Sequence, residues 1–210
     1  MLELLKKSYR AKKKQIESRL EEFGRVWECG DKRVFEELSF CVCTPQSKAV
    51  YCAAAVRELV RTGRLYSADV TGIRELLKAV RFPNNKARFI VHNRELLSSS
   101  GKISIKKHID PADIMATRDW LVRNIKGIGY KEASHFLRNI GFGGRLAILD
   151  VHILRNLVKF GVLREIPKSL SRGKYIELER KAGRFADKAG IPMDHLDLLF
   201  WSEQTGMIFK

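Results

Sequence analysis

The chain has 210 residues, enough for a substantial core and few enough for one domain or two small lobes. Forty Lys and Arg face 24 Asp and Glu, a formal charge of +16 spread along the chain; a folded protein this basic ordinarily meets a polyanion, nucleic acid first, with a generic solvated surface as the alternative. No apolar run approaches a membrane span and MLELLKKSYRAKKKQ lacks the apolar core of a signal peptide, so a cytoplasmic protein with no membrane partner is expected.

Leu2 to Phe23 predicts a charged amphipathic helix with Leu5, Tyr9, Ile16 and Leu20 inward, and Lys12-Lys13-Lys14 on its solvated face. The four cysteines, Cys29, Cys41, Cys43 and Cys52, fit neither a zinc ribbon nor a disulfide framework, which predicts buried, reduced thiols and no metal. Asp31 is placed to cap a helix through Val34, Phe35, Leu38 and Val42 that ends near Thr44-Pro45. Ser47 is placed to start the next, an Ala-rich helix from Lys48 to Arg61. Asp69 opens a helix through Ile73, Leu77 and Val80, Pro83 breaks the pattern, and Asn84 caps its successor. Residues 98–107 read as a polar, basic linker, and Asp110-Pro111 starts a helix running to Asn124. After a loop from Gly161 to Arg172, helices are expected from Lys174 to Ala189 and from His195 to about Thr205. No strand alternation or internal repeat is visible, so the expected class is all-α.

The informative stretch is Asn124 to Arg155, NIKGIGYKEASHFLRNIGFGGRLAILDVHILR. Gly127 and Gly129 stand two apart between helical patterns, where glycine permits positive φ and close backbone approach. The N–H groups that open the next helix then form a phosphate site, with Lys126 beside it. That helix carries its apolar stripe at Ala133, Phe136, Leu137 and Ile140, which leaves Lys131, Ser134, His135 and Arg138 largely off the core face. Lys131 falls in the first turn, where a cation opposes the helix dipole; burial, the helix start and Lys126 all favour its neutral, nucleophilic form. Asp150 precedes the apolar-periodic VHILRNLVKFGV and suits an N-cap. Taken singly, the aspartate is a cap and the hairpin a DNA-binding turn.

Together, GIGYKEA and LAILDVH resemble the active-site motifs of the helix-hairpin-helix DNA glycosylase superfamily, and KGIGYKEASHFLRNIG with the ending WSEQTGMIFK resembles its compact archaeal-type 8-oxoguanine DNA glycosylase/AP lyases. The resemblance implies a single two-lobed unit over residues 1–210, with a central lobe of about 31–135, a second lobe of 1–30 plus 136–210, and the active site in the cleft. It implies that Lys131 attacks the sugar and forms a Schiff base, that Asp150 stabilises the developing charge, and that Lys126, Gly127 and Gly129 meet the DNA backbone. Gln46, in the turn where relatives insert a polar side chain, becomes a candidate wedge; a plain helix-helix turn is the competing reading. Trp201 could stack on the flipped base, Asp197 accept from its edge, and Phe82 line the pocket, although Trp201 and Phe82 also read as core. The α-carboxylate of Lys210, an acceptor with no donor, suits the N7–H that distinguishes 8-oxoguanine from guanine. A monovalent cation at the hairpin carbonyls is implied, and no iron–sulfur cluster, because no cysteine follows Cys52. The partner implied is double-stranded DNA containing oxidised guanine, met by a monomer associated with a prokaryotic nucleoid. Another oxidised base, such as a pyrimidine, and a non-catalytic hairpin module are the other readings.

Overall fold

A computed structural model describes residues 1–208; the predicted base reader Lys210 lies outside them. The described residues form eleven α-helices, one 3-10 turn and a two-stranded ribbon. They divide into two compact units, Val26–Phe136 and Met1–Arg25 with Leu137–Lys210.

In the 26–136 unit, α2 (Asp31–Cys43) packs against α3 (Ala49–Arg61) and α6 (Pro83–Leu96), with α4 (Arg64–Ser67) and α5 (Val70–Leu76) completing the bundle. The α2 helix is buried almost all round, with Val34, Leu38, Cys41 and Cys43 fully enclosed. Chain-order expectations fail here in instructive ways. Asp31 does not cap α2; its Oδ1 accepts the Lys106 N–H at 2.7 Å, and Gly30 takes the cap position. Ser47 does not cap α3, whose N-cap is Lys48, because its hydroxyl is committed elsewhere. Asp69 does cap α5, accepting from the Gly72 N–H at 2.8 Å, but the helix stops before Leu77. Asn84 lies inside α6, which is capped by Phe82 in a left-handed conformation ahead of Pro83. The 98–107 linker is instead a ribbon, β1 (Ser98–Ser99) antiparallel to β2 (Lys102–Ile103), followed by the 3-10 turn Ile105–His108. Strands two residues long carry no alternation to read. Asp113, not Asp110, caps α7 (Ile114–Asn124), bonding the Ala116 N–H at 2.9 Å.

The other unit is built on α1 (Leu2–Glu28), five residues longer than expected, with α9 (Val151–Lys159), α10 (Arg172–Ala189) and α11 (Met193–Thr205). Ile16 and Phe23 of α1 are buried, and Phe160, Phe185 and Phe200 stack beside α9. The final helix starts at Met193 rather than His195. Gly141, at φ 92°, lies so close to α1 that a Cβ there would meet the Gly24 Cα at 2.9 Å, so glycine is required on both counts. Of the cysteines, Cys41, Cys43 and Cys52 are buried and free as expected, while Cys29 is exposed. Burial pushes the Cys43 thiol up to about 12, which makes it inert.

Candidate active site

The hairpin joins α7 to α8 (Tyr130–Asn139) within the 26–136 unit. Its approach is held by the buried Asn93, whose Oδ1 accepts the Lys126 N–H at 2.9 Å while its Nδ2 donates to the Lys126 carbonyl at 3.0 Å. This two-way clamp fixes the main chain and leaves the Lys126 side chain exposed. Gly127 has φ 87°, and a Cβ at that position would stand 2.5 Å from the Phe89 ring. Both the conformation and the packing therefore demand glycine. Gly129 has no positive φ; its carbonyl accepts the first helical bond, from the Ala133 N–H at 2.9 Å, as an N-cap residue does.

The start of α8 is organised by Glu132. Its Oε2 accepts from the Gly129 N–H at 3.1 Å, the backward half of a capping box. Its Oε1 lies 2.9 Å from Lys131 Nζ, so one carboxylate holds both the hairpin glycine and the ammonium. Sequence reasoning missed Glu132, although a glutamate at the third helical position was a readable capping signal.

The α8 helix is not amphipathic in the way its apolar stripe suggests. Ser134, His135 and Arg138 are as buried as Ala133, Phe136 and Leu137, contrary to the expected solvent-facing side. Each has a tertiary partner: Arg118 Nη1 donates to Ser134 Oγ at 3.0 Å, and the Phe40 and His135 rings meet edge to face. Arg138 pairs with Asp197 at 2.8 Å and lies over the Phe23 ring. The side of α8 that spacing alone assigns to water is thus the one that bonds the helix into its surroundings.

Two further predicted residues occupy loops of the 26–136 unit. Gln46 is exposed with φ 56°, at the tip of the turn between α2 and α3. Phe82 is half exposed, also at φ 56°, so it is not core. Both are non-glycine residues held in the left-handed region, an uncommon and strained conformation.

Asp150 belongs to the other unit. Its Oδ1 accepts from the Ile153 N–H at 2.8 Å, so it does cap α9. The segment leading to it is pinned from α10: Glu179 accepts the Ala147 N–H at 2.8 Å, and the buried Tyr175 hydroxyl donates to the Ala147 carbonyl at 2.5 Å. Tyr175 also receives the Leu149 N–H at 3.3 Å. A rigid lead-in places the carboxylate one residue later. On α11, Trp201 is partly exposed, and Asp197 is buried with Oδ2 engaged by Arg138. Burial pushes the Asp197 carboxyl up to about 7, against the pull of Arg138, with Asp150 and Asp194 adding to the rise.

A family model described as 8-oxoguanine DNA glycosylase matches residues 16–191. This chain belongs to the 8-oxoguanine DNA glycosylase family. Among relatives, the 8-oxoguanine DNA glycosylase/AP lyase of Fusobacterium nucleatum is 44% identical over 208 residues, 98% of this chain and 96% of the relative. The crystal structure of the Thermotoga maritima 8-oxoguanine DNA glycosylase superposes with a TM-score of 0.85 at 37% identity, covering 100% of this chain and 98% of that one. The Methanocaldococcus jannaschii 8-oxoguanine glycosylase/lyase, in complex with a 15mer DNA containing 8-oxoguanine, superposes with a TM-score of 0.88 at 34% identity over 99% of both chains. The all-α helix-hairpin-helix glycosylase fold expected from the motifs is the fold of this family. No helix among the described residues is long and apolar enough to cross a membrane.

Proposed function

We propose that this chain excises 8-oxoguanine from double-stranded DNA through a Schiff base on Lys131 and then nicks the abasic strand. The observation that carries the proposal is Lys131 in the first turn of α8, behind a hairpin clamped by Asn93, in a chain matched over nearly its whole length by relatives named for this activity. The neutral amine attacks the sugar C1′, the C1′–N9 bond breaks, and the base leaves carrying the electron pair and a proton. Ring opening gives the imine. Loss of a C2′ proton then expels the 3′ phosphate by β-elimination, and water releases the enzyme. Lys131 Nζ stands 2.9 Å from Glu132 Oε1, so attack requires that contact to open. The fixed carboxylate of Asp150 stabilises positive charge on the sugar as the base departs.

The hairpin of Lys126, Gly127 and Gly129 meets the phosphates, and Gln46 fills the gap left by the extruded base. Trp201 stacks on that base and Phe82 contributes an exposed aromatic face. Asp197 has only Oδ1 left for the base edge, since Arg138 holds the other oxygen. Lys210 contributes to reading the oxidised base. A monovalent cation at the hairpin would take main-chain oxygens near Gly127 and Gly129. The Lys126 and Gly129 carbonyls each already accept one N–H and keep a second lone pair, so the donor set fits such an ion as a bridge to phosphate. The enzyme acts as a monomer on the nucleoid of a prokaryote. A panel of duplexes, each with a single lesion, tests the substrate: preferential release of 8-oxoguanine is expected, and preference for an oxidised pyrimidine would overturn it.

A further inference from the structure

Lys86 is a lysine in an unusual place. It stands on α6 with only 4% of its surface exposed, and among the described residues no carboxylate is bonded to it. Its three ammonium protons all go to one short turn of the chain about forty residues earlier. Nζ donates to the Cys43 carbonyl at 2.5 Å, to the Pro45 carbonyl at 2.8 Å and to Ser47 Oγ at 2.9 Å. A buried ammonium is costly unless fully hydrogen-bonded, and three donors on three acceptors is its full complement.

The acceptors bracket Gln46 on both sides. Without an outside constraint, a glutamine at φ 56° would relax to an ordinary conformation, because the left-handed region is unfavourable for a residue with a Cβ. The turn's other bonds lie at its start: Ser47 N–H to the Thr44 carbonyl at 3.0 Å, Thr44 N–H and Oγ1 to the Cys41 carbonyl at 3.2 and 2.8 Å, and the Cys52 thiol to the Cys43 carbonyl at 3.1 Å. Ser47 Oγ also accepts the Arg81 N–H at 3.0 Å, so the same hydroxyl ties the Gln46 turn to the residue before Phe82. Two exposed side chains on two strained backbones are thereby cross-linked through one buried cation and one hydroxyl.

We propose that Lys86 is a positioning residue whose three hydrogen bonds hold the 43–47 turn so that Gln46 is already in place to enter the duplex as the damaged base leaves. The inference rests on the reading of Gln46 as the wedge. Lys86 touches neither sugar nor base; it lowers the ordering cost of the residue that replaces the base in the stack. Burial is the largest pressure on the Lys86 ammonium towards its neutral form, with Arg81 and Lys131 adding to it and Cys43 and Cys52 opposing it.

The test is a double-mutant cycle in the full-length enzyme, with single-turnover excision of 8-oxoguanine from duplex DNA as the readout and elimination at a pre-made abasic site as the comparison. Lys86→Met keeps the buried stem and removes the donors; Ser47→Ala removes one acceptor from a partly exposed position and serves if the first variant does not fold. Each is made in the natural background and in Gln46→Ala. The expected result is a loss of roughly tenfold in excision for Gln46→Ala and a similar or smaller loss for Lys86→Met, with little further loss when the two are combined. Elimination at the abasic site, where no base has to be displaced, should change severalfold less. If Gln46→Ala is active as the natural protein, the wedge reading fails and takes this inference with it. If Gln46→Ala is impaired while Lys86→Met or Ser47→Ala is harmless, or its loss simply multiplies with that of Gln46→Ala, the wedge stands and the positioning role of Lys86 is overturned.

Discussion

Two helix starts carry the proposed chemistry, and they solve opposite electrostatic problems. At α9, Asp150 is both cap and functional group: its carboxylate satisfies the Ile153 N–H and complements the positive end of the helix. At α8 the functional group is a cation where the dipole disfavours one, and the capping has passed to its neighbour Glu132, which bonds the Gly129 N–H and the Lys131 ammonium together. The aspartate therefore stabilises the folded chain as a cap, whereas the lysine depends on a separate carboxylate until DNA arrives. A helix start can thus host either sign of charge, provided a second group does the capping when the sign is wrong.

The sharpest way to break this comparison is Asp150→Asn. Asparagine caps about as well as aspartate, so thermal stability should move by less than about 0.5 kcal/mol. The charge is lost, and excision in single-turnover assays should fall by roughly a hundredfold or more if the carboxylate stabilises charge on the sugar. A variant that excises normally per folded molecule would reduce Asp150 to a cap.

Much of this was readable beforehand, and the reasons divide cleanly. The Asp150 cap was legible because the side chain and the N–H it accepts from are three residues apart. The apolar stripe of α8 was legible because helical spacing is local. What lay hidden depends on partners remote in sequence: Ser134 is buried because Arg118 reaches it, and Arg138 because Asp197 does. Lys86 was invisible for the same reason, since lysine is ordinarily exposed and its three acceptors lie around the 43–47 turn. The Asn93 clamp crosses 33 residues. The left-handed backbones at Gln46 and Phe82 were missed because spacing carries no information about a left-handed residue that is not glycine.

A smaller effect sharpens the lysine side. Glu132→Ala removes the backward cap of α8 and should destabilise the protein by about 1 kcal/mol, read as a shift of denaturant midpoint. The matching loss at α9 should come from Asp150→Ala and not from Asp150→Asn. Equal stability of the Glu132→Ala and natural proteins would mean that the capping box adds nothing.

The smallest effect concerns Asp197, and its sign follows from the raised carboxyl. In the unfolded chain this group ionises near the ordinary aspartate value, while in the fold it holds its proton up to about 7. Across that window the folded state binds more protons, so this group's contribution to stability is full below the unfolded value and is lost as pH rises through about 7. The difference in stability between the natural protein and Asp197→Asn, measured at pH 5 and pH 8, should shift against the natural protein at the higher pH. A pH-independent difference would show that Arg138 keeps the carboxylate ionised throughout.

The central claim is that Lys131 is the nucleophile, and borohydride trapping tests it most directly. Incubated with an 8-oxoguanine duplex and sodium borohydride, the natural protein should yield a covalent protein–DNA adduct by reduction of the imine. Lys131→Gln should yield none while still binding the duplex, because the phosphate contacts lie in the hairpin rather than at the amine. Adduct formation by Lys131→Gln at the natural level would place the Schiff base on another residue and contradict the account.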